Sequence, residues 1–120
     1  MALGNNPTLV IIPAAGTGTR MASAVPKQYL SLGEKAGSVL EVSVKAMQQA
    51  LPEATVVVAV QAGDAVIASQ DLSNAQVLTT GGATREETVY RTLLALKDDF
   101  PENTLVFVHD AARALVSPDD

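Results

Sequence analysis

Apolar residues fall along this chain in two alternating kinds of run. Leu9-Val10-Ile11-Ile12, Thr55 to Val60, the weaker Gln76 to Thr80 and Thr104 to Val108 are short, nearly continuous and rich in β-branched side chains. Strands read that way when both faces are buried, as in a parallel sheet. Between them the spacing changes. Leu40, Val44, Met47 and Leu51 recur at i, i+4, i+7 and i+11, while Val89, Leu93 and Leu96 mark one face of a later segment. Both patterns predict amphipathic helices. Ser38-Val39-Leu40-Glu41 opens the first helix with a capping box and Pro52 closes it; Thr84-Arg85-Glu86-Glu87 opens the second in the same way. Residues 63–70 predict a further short helix, opened near Asp64. Strands alternating with helices through short connections predict an α/β fold on a mainly parallel sheet, with right-handed crossovers. Ligands of such sheets sit beyond the carboxyl ends of the strands.

Three of those four strand ends carry suggestive chemistry. After Ile12 and Pro13 the side chains shrink to Ala14-Ala15-Gly16-Thr17-Gly18-Thr19, a backbone able to lie flush against a ligand and aim its N–H groups at phosphate oxygens. Arg20 follows at once, and Lys27 stands seven residues on, held by the extended Val25-Pro26 step. Strand, small-residue loop and spaced cations describe a nucleotide site with a charge clamp on its phosphates. Gly16-x-Gly18 alone reads equally as a plain strand-to-helix turn. A dinucleotide fingerprint would need a third glycine where Met21 stands and an acid where Gln61 ends the second strand. Arg20 also reads as the partner of a surface acid, and Lys27 as a solvated turn lysine.

Gly81-Gly82 ends the third strand, and Arg85 and Thr88 lie in the first turn of the helix beyond it, where unpaired N–H groups favour anions. Asp110 ends the fourth strand. A lone carboxylate there suits Mg²⁺, which keeps waters and takes one or two carboxylates beside phosphate oxygens; it equally suits a cap on the following N–H groups. The single histidine, His109, is read as a packed or hydrogen-bonded residue without chemistry.

Composition narrows the classes. The 120 residues predict one nucleotide-binding domain over 1–120, with an aliphatic core, since the aromatics amount to two Phe and two Tyr. A net charge of −5 argues against non-specific nucleic-acid binding and against an anionic membrane surface, and makes the cations beside the glycines more pointed. With no cysteine there is neither disulfide nor thiolate metal site, and no apolar run reaches membrane-spanning length. The expected compartment is the cytoplasm. Ser117-Pro118-Asp119-Asp120 is a strong helix start, so the chain is expected to be the first part of a larger domain.

PAAGTGTRM with PKQY, then GGATREETV, then VHDAAR, in that order, resemble the 2-C-methyl-D-erythritol 4-phosphate cytidylyltransferases of the non-mevalonate isoprenoid pathway. The resemblance runs from Leu9 to the end. It implies a Rossmann-like, doubly wound fold of the nucleotidyltransferase type, incomplete at the C-terminus. It further implies that Pro13 and Ala14 to Gly18 (Ala15, Gly16 and Thr17 among them) wrap the phosphates and part of the base of CTP. Arg20 and Lys27 would stabilise the α-phosphorus during attack. Gly81, Gly82, Ala83, Arg85 and Thr88 would line the cytidine side, and Asp110 would hold Mg²⁺. CTP and a polyol phosphate are the implied substrates and a homodimer the implied full-length form. The later half of the family's chain would supply the second metal carboxylate, the acceptor grip and the dimer arm. Departures are Ala83 where a polar residue is frequent, Thr88 where serine is commoner, and Ala114 where many members have proline. A sibling, ribitol-5-phosphate cytidylyltransferase, tends to carry AGG in place of Ala14-Ala15-Gly16 and a bulkier residue at Ala112. A nucleotide-binding fragment without catalysis is the alternative from another class.

Overall fold

The computed structural model describes residues 7–15, 27–33 and 37–110. Four strands form one sheet: β1 (Thr8–Pro13), β2 (Thr55–Ala59), β3 (Gln76–Leu78) and β4 (Leu105–Val108), in the spatial order β3-β2-β1-β4. Every pairing is parallel. Ile12 lies opposite Val58, Ile11 opposite Val108, and Val58 opposite Val77. The expected strands are all present: β1 runs one residue further at each end than its apolar core, while β2, β3 and β4 are shorter than expected by one, two and one residues.

Because β1 is central, its side chains alternate between two covered faces. Val10, Ile12 and Ala14 join Val56, Val58 and Val60 against α1 (Val39–Ala50), whose Val39, Leu40 and Val44 are fully buried. Leu9, Ile11 and Val57 face the other way, onto Leu96 of α2 (Arg85–Leu96). Helices on both faces make the sheet doubly wound, which is why β1 reads as an unbroken apolar run rather than an alternating one.

The α1 capping box forms as expected: Ser38 Oγ accepts from the Glu41 N–H at 3.1 Å, and Glu41 Oε1 accepts from the Ser38 N–H at 2.9 Å. The expected short helix over 63–70 is instead a single 3-10 turn, Val66–Ser69. Asp64 opens it as expected: its Oδ1 accepts from the N–H groups of Val66 and Ile67, first-turn donors with no partner inside the turn.

Two expectations about α2 need correcting. Its buried stripe is Thr88, Thr92 and Leu96, not Val89, Leu93 and Leu96. The threonines go inside because their hydroxyls have partners. Thr88 Oγ1 donates to the Thr84 carbonyl and Thr92 Oγ1 to the Thr88 carbonyl, with Thr80 Oγ1 2.7 Å from Thr92 Oγ1. Leu93 is left 36 % exposed and Leu94 50 %. The opening of α2 is also only half a capping box. Thr84 Oγ1 accepts from the Glu87 N–H, but the Glu87 carboxylate reaches past Thr84 to the Ala83 N–H.

Among the described residues, β4 is an uncovered edge: Leu105, Val106, Phe107 and Val108 are each 37–45 % exposed. No helix among them is long and apolar enough to cross a membrane.

Candidate functional site

Parallel strands place all their carboxyl ends on one edge. β1 is joined on one side to β2 and on the other to β4, so the chain's winding reverses between β1 and β4 and opens a crevice there. Ala14 and Ala15 leave β1 at this edge, Gly81 and Gly82 follow β3, and His109 and Asp110 follow β4. The three strand-end segments picked out by sequence therefore share one rim. Gly16, Thr17, Gly18 and Arg20 lie outside the described residues.

The backbone around the rim is tied closely. The Ala14 N–H donates to the Ala59 carbonyl at 2.7 Å, extending the β1–β2 ladder past Pro13, and the Gly81 N–H donates to the Val60 carbonyl at 2.9 Å. A Cβ on Gly81 would come within 2.6 Å of Ala15 Cβ and 2.9 Å of the Val60 oxygen. Glycine is required there by the close approach of two backbones. At Gly82 a Cβ would meet the Glu87 side chain down to its own Cβ, at 2.8 Å, and the Gly82 N–H donates to Thr88 Oγ1 at 2.9 Å. Thr88, buried and reaching both Gly82 and Thr84, thus holds the glycine turn against the start of α2.

Charge is arranged in two linked pairs. Arg85 Nε lies 2.6 Å from Asp110 Oδ1, spanning the crevice from α2 to the end of β4. That bond raises the Arg85 guanidinium above its ordinary value. Glu87 accepts from the Ala83 N–H and pairs with Arg91, one turn along. The N–H bond chiefly, and the Arg91 charge after it, hold the Glu87 carboxyl below its usual range. Arg91 Nη1 also reaches the Gly81 carbonyl at 3.3 Å.

On the far side of β1, Lys27 opens a 3-10 turn, Lys27–Tyr29. Its two successors anchor that turn. Gln28 Nε2 donates to the Ala14 carbonyl at 2.8 Å, and the Tyr29 hydroxyl donates to Asp64 Oδ2. Burial first, and the Asp64 bond second, push the Tyr29 phenol well above its ordinary value, so it stays a neutral donor. In the sequence Gln28 and Tyr29 stand out only as part of the PKQY motif and Asp64 only as a helix opener; the bonds that tie this turn to Ala14 and to Asp64 have no local signal.

Asp110 is a hard oxygen donor at the mouth of the crevice, with one oxygen taken by Arg85. No group of three or more His, Cys, Asp or Glu side chains able to hold a metal ion occurs among the described residues. Asp110 could supply the single carboxylate of a cation such as Mg²⁺, which completes its shell with water and phosphate oxygens, by giving up or sharing its bond to Arg85.

Residues 8–120 match the family model described as 2-C-methyl-D-erythritol 4-phosphate cytidylyltransferase. The enzyme of that name from Enterobacter sp. (strain 638) is 40% identical over 123 residues, covering 100% of this chain and 49% of the relative. Its counterpart from Klebsiella pneumoniae is 41% identical over 112 residues, covering 92% and 45%. The chain spans about half the length of the curated relatives it matches. A crystal structure of 4-diphosphocytidyl-2C-methyl-D-erythritol synthase superposes with a TM-score of 0.73 at 28% identity, covering 96% of this chain and 50% of that one. The bifunctional IspDF of Campylobacter jejuni gives 0.70 at 27% identity, covering 95% and 28%.

Proposed function

The chain belongs to the 2-C-methyl-D-erythritol 4-phosphate cytidylyltransferase family, and from that premise we propose that it forms the CTP side of a cytidylyl-transfer site. The full-length protein joins CTP to 2-C-methyl-D-erythritol 4-phosphate, giving 4-diphosphocytidyl-2-C-methyl-D-erythritol and pyrophosphate. An oxygen of the acceptor's phosphate attacks the α-phosphorus of CTP. The new P–O bond forms as the bond to the β-phosphate breaks, and pyrophosphate departs with its electron pair. The attacking oxygen is already ionised at neutral pH, so the chemistry asks for positioning and charge neutralisation rather than a base.

Support comes from the convergence of Ala14–Ala15, Gly81–Gly82 and Asp110 at the crevice between β1 and β4. In this reading the loop from Pro13 through Ala14, Ala15, Gly16, Thr17 and Gly18 receives the phosphates, and Arg20 and Lys27 neutralise the α-phosphorus. Gly81, Gly82, Ala83, Arg85 and Thr88 form the cytidine side, Thr88 through the turn it braces. Asp110 holds Mg²⁺, whose charge offsets that of the phosphates. The full-length protein acts as a homodimer in the cytoplasm, among its small-molecule substrates.

Pyrophosphate release by the full-length protein with CTP, Mg²⁺ and 2-C-methyl-D-erythritol 4-phosphate tests the reading, with ribitol 5-phosphate as the rival acceptor. Turnover with the first alone is expected, and a preference for the second would overturn the assignment. The 120-residue chain by itself is expected to bind CTP·Mg²⁺ weakly in a calorimetric titration, to prefer it to ATP, and to release no pyrophosphate. Equal binding of both nucleotides counts against a cytidine site.

Asp110→Asn should raise the Mg²⁺ concentration needed for half-maximal activity several-fold, because one anionic ligand is lost from a site with few. An unchanged Mg²⁺ titration would leave Asp110 as no more than the partner of Arg85.

A further inference from the structure

Gln61 lies two residues past the end of β2, at the strand end that carries none of the motif residues. Its Nε2 donates to the Ala15 carbonyl at 3.0 Å and to the Gly82 carbonyl at 2.9 Å. A carboxamide nitrogen carries two hydrogens, so both are in use, one on each of the two loops that border the crevice. The two loops come together at this point, where Gly81 packs on Ala15 without room for a Cβ. We infer that Gln61 is a positioning residue of the nucleotide site, a cross-brace that fixes the β1 loop and the β3 loop at one separation and turns their carbonyls away from the ligand.

The argument is one of polarity. A triphosphate is attracted to N–H groups and repelled by carbonyl oxygens, and a loop of alanine and glycine has few side-chain contacts to stop a peptide from reversing. A donor on the carbonyl holds the peptide in one orientation. Gln28 does this for Ala14, while Gln61 does it for Ala15 and Gly82 together. Gln61 is half-buried and is bonded to backbone on both sides, so it acts through the loops and not on the substrate. The lysine-bearing turn has its own bonds, Gln28 to the Ala14 carbonyl and Tyr29 to Asp64, and none of them uses Gln61. Loss of the brace should therefore weaken nucleotide binding and spare the chemical step.

The inference rests on the CTP-site reading above, and its test separates the two. In the full-length protein, Gln61→Met keeps the length of the side chain and removes both donors. The expected result is a rise in KM for CTP on the order of tenfold, matched by Kd in a CTP titration, with kcat within about twofold of the parent. Gln61→Glu sets a carboxylate against two carbonyls and should bind worse than Gln61→Met near pH 8. Once protonated it regains one donor, so its deficit relative to the parent should narrow as pH falls from about 8 to about 5.5, while that of Gln61→Met stays constant. A parent that binds no CTP ends the functional reading. A parent that binds, beside a Gln61→Met variant of parental KM, ends this inference alone. A loss in kcat at unchanged KM also overturns it, as does a Gln61→Glu deficit independent of pH. Thermal melts accompany both variants; if both unfold, Gln61 is a structural residue and the inference falls.

Discussion

Lys27→Met is expected to lower kcat of the full-length protein by roughly 10²–10³-fold while KM for CTP moves only a few-fold. Charge builds on the oxygens around the α-phosphorus only as the acceptor attacks. A cation placed against them therefore favours the transition state over bound CTP. The position suits that task because the turn that carries it is held by its successors. Pro26 precedes it, and the next two residues are bonded to the Ala14 carbonyl and to Asp64, one of them tying the turn to the end of β1 itself. Methionine preserves most of the aliphatic stem and removes the charge, so the neighbours' anchoring survives and the measurement reads the charge. Steady-state kinetics with CTP varied at saturating acceptor decides it, and a parental kcat would take Lys27 out of the mechanism.

Gly81→Ala should be the most damaging small change in the β3 loop. The added Cβ meets Ala15 Cβ at 2.6 Å, the Val60 oxygen at 2.9 Å and the Gln61 nitrogen at 3.0 Å, and two of these are backbone atoms that have no rotamer to escape into. Overpacking of this kind costs about 1–3 kcal/mol, and relief requires the glycine turn to move away from the β1 loop. Thermal denaturation should show the loss of stability, and a CTP titration should show a loss of affinity on the order of tenfold or more. Gly82→Ala is the internal control. Its Cβ meets Glu87 Cγ at 2.5 Å and Glu87 Cβ at 2.8 Å, so the strain falls between the glycine turn and α2 and not on the β1 loop; stability should fall, with a smaller loss of CTP affinity than in Gly81→Ala. A Gly81→Ala variant equal to the parent in both measurements would show that the two loops need not touch.

These residues also show what a sequence can and cannot disclose. The β1 run, the Ser38 capping box and the small side chains after Ile12 announce themselves because each is a local pattern with one dominant physical cause. Parallel pairing then follows from alternation, and with it the convergence of three strand ends. What escaped was polar and long-range. Apolar periodicity misplaces the buried stripe of α2 because Thr88 and Thr92 count as polar in it, and only their partners, Gly82, Thr84 and Thr80, make burial favourable. Gln61 entered the reading only as a missing acid; its donors find carbonyls 46 and 21 residues away, a separation that no local pattern records. The Arg85–Asp110 bond is of the same kind. Two residues assigned to different jobs turn out to neutralise each other across the crevice until something displaces one of them.

The position of β4 has a consequence for the order of events at the ribosome. β1 hydrogen-bonds to β2 along one side and to β4 along the other, yet Leu105 is synthesised 50 residues after Thr55. At typical elongation rates of 5–20 residues per second, the nascent chain spends roughly 3–10 s with its most apolar strand open on one side. Leu9 to Ile12 is short, mostly β-branched and uncharged, the composition that pairs readily with a neighbouring chain. Slowing translation between the codons for Ala59 and Leu105 should therefore increase co-translational aggregation, and a holdase that shields Leu9 to Ile12 during that interval should suppress it.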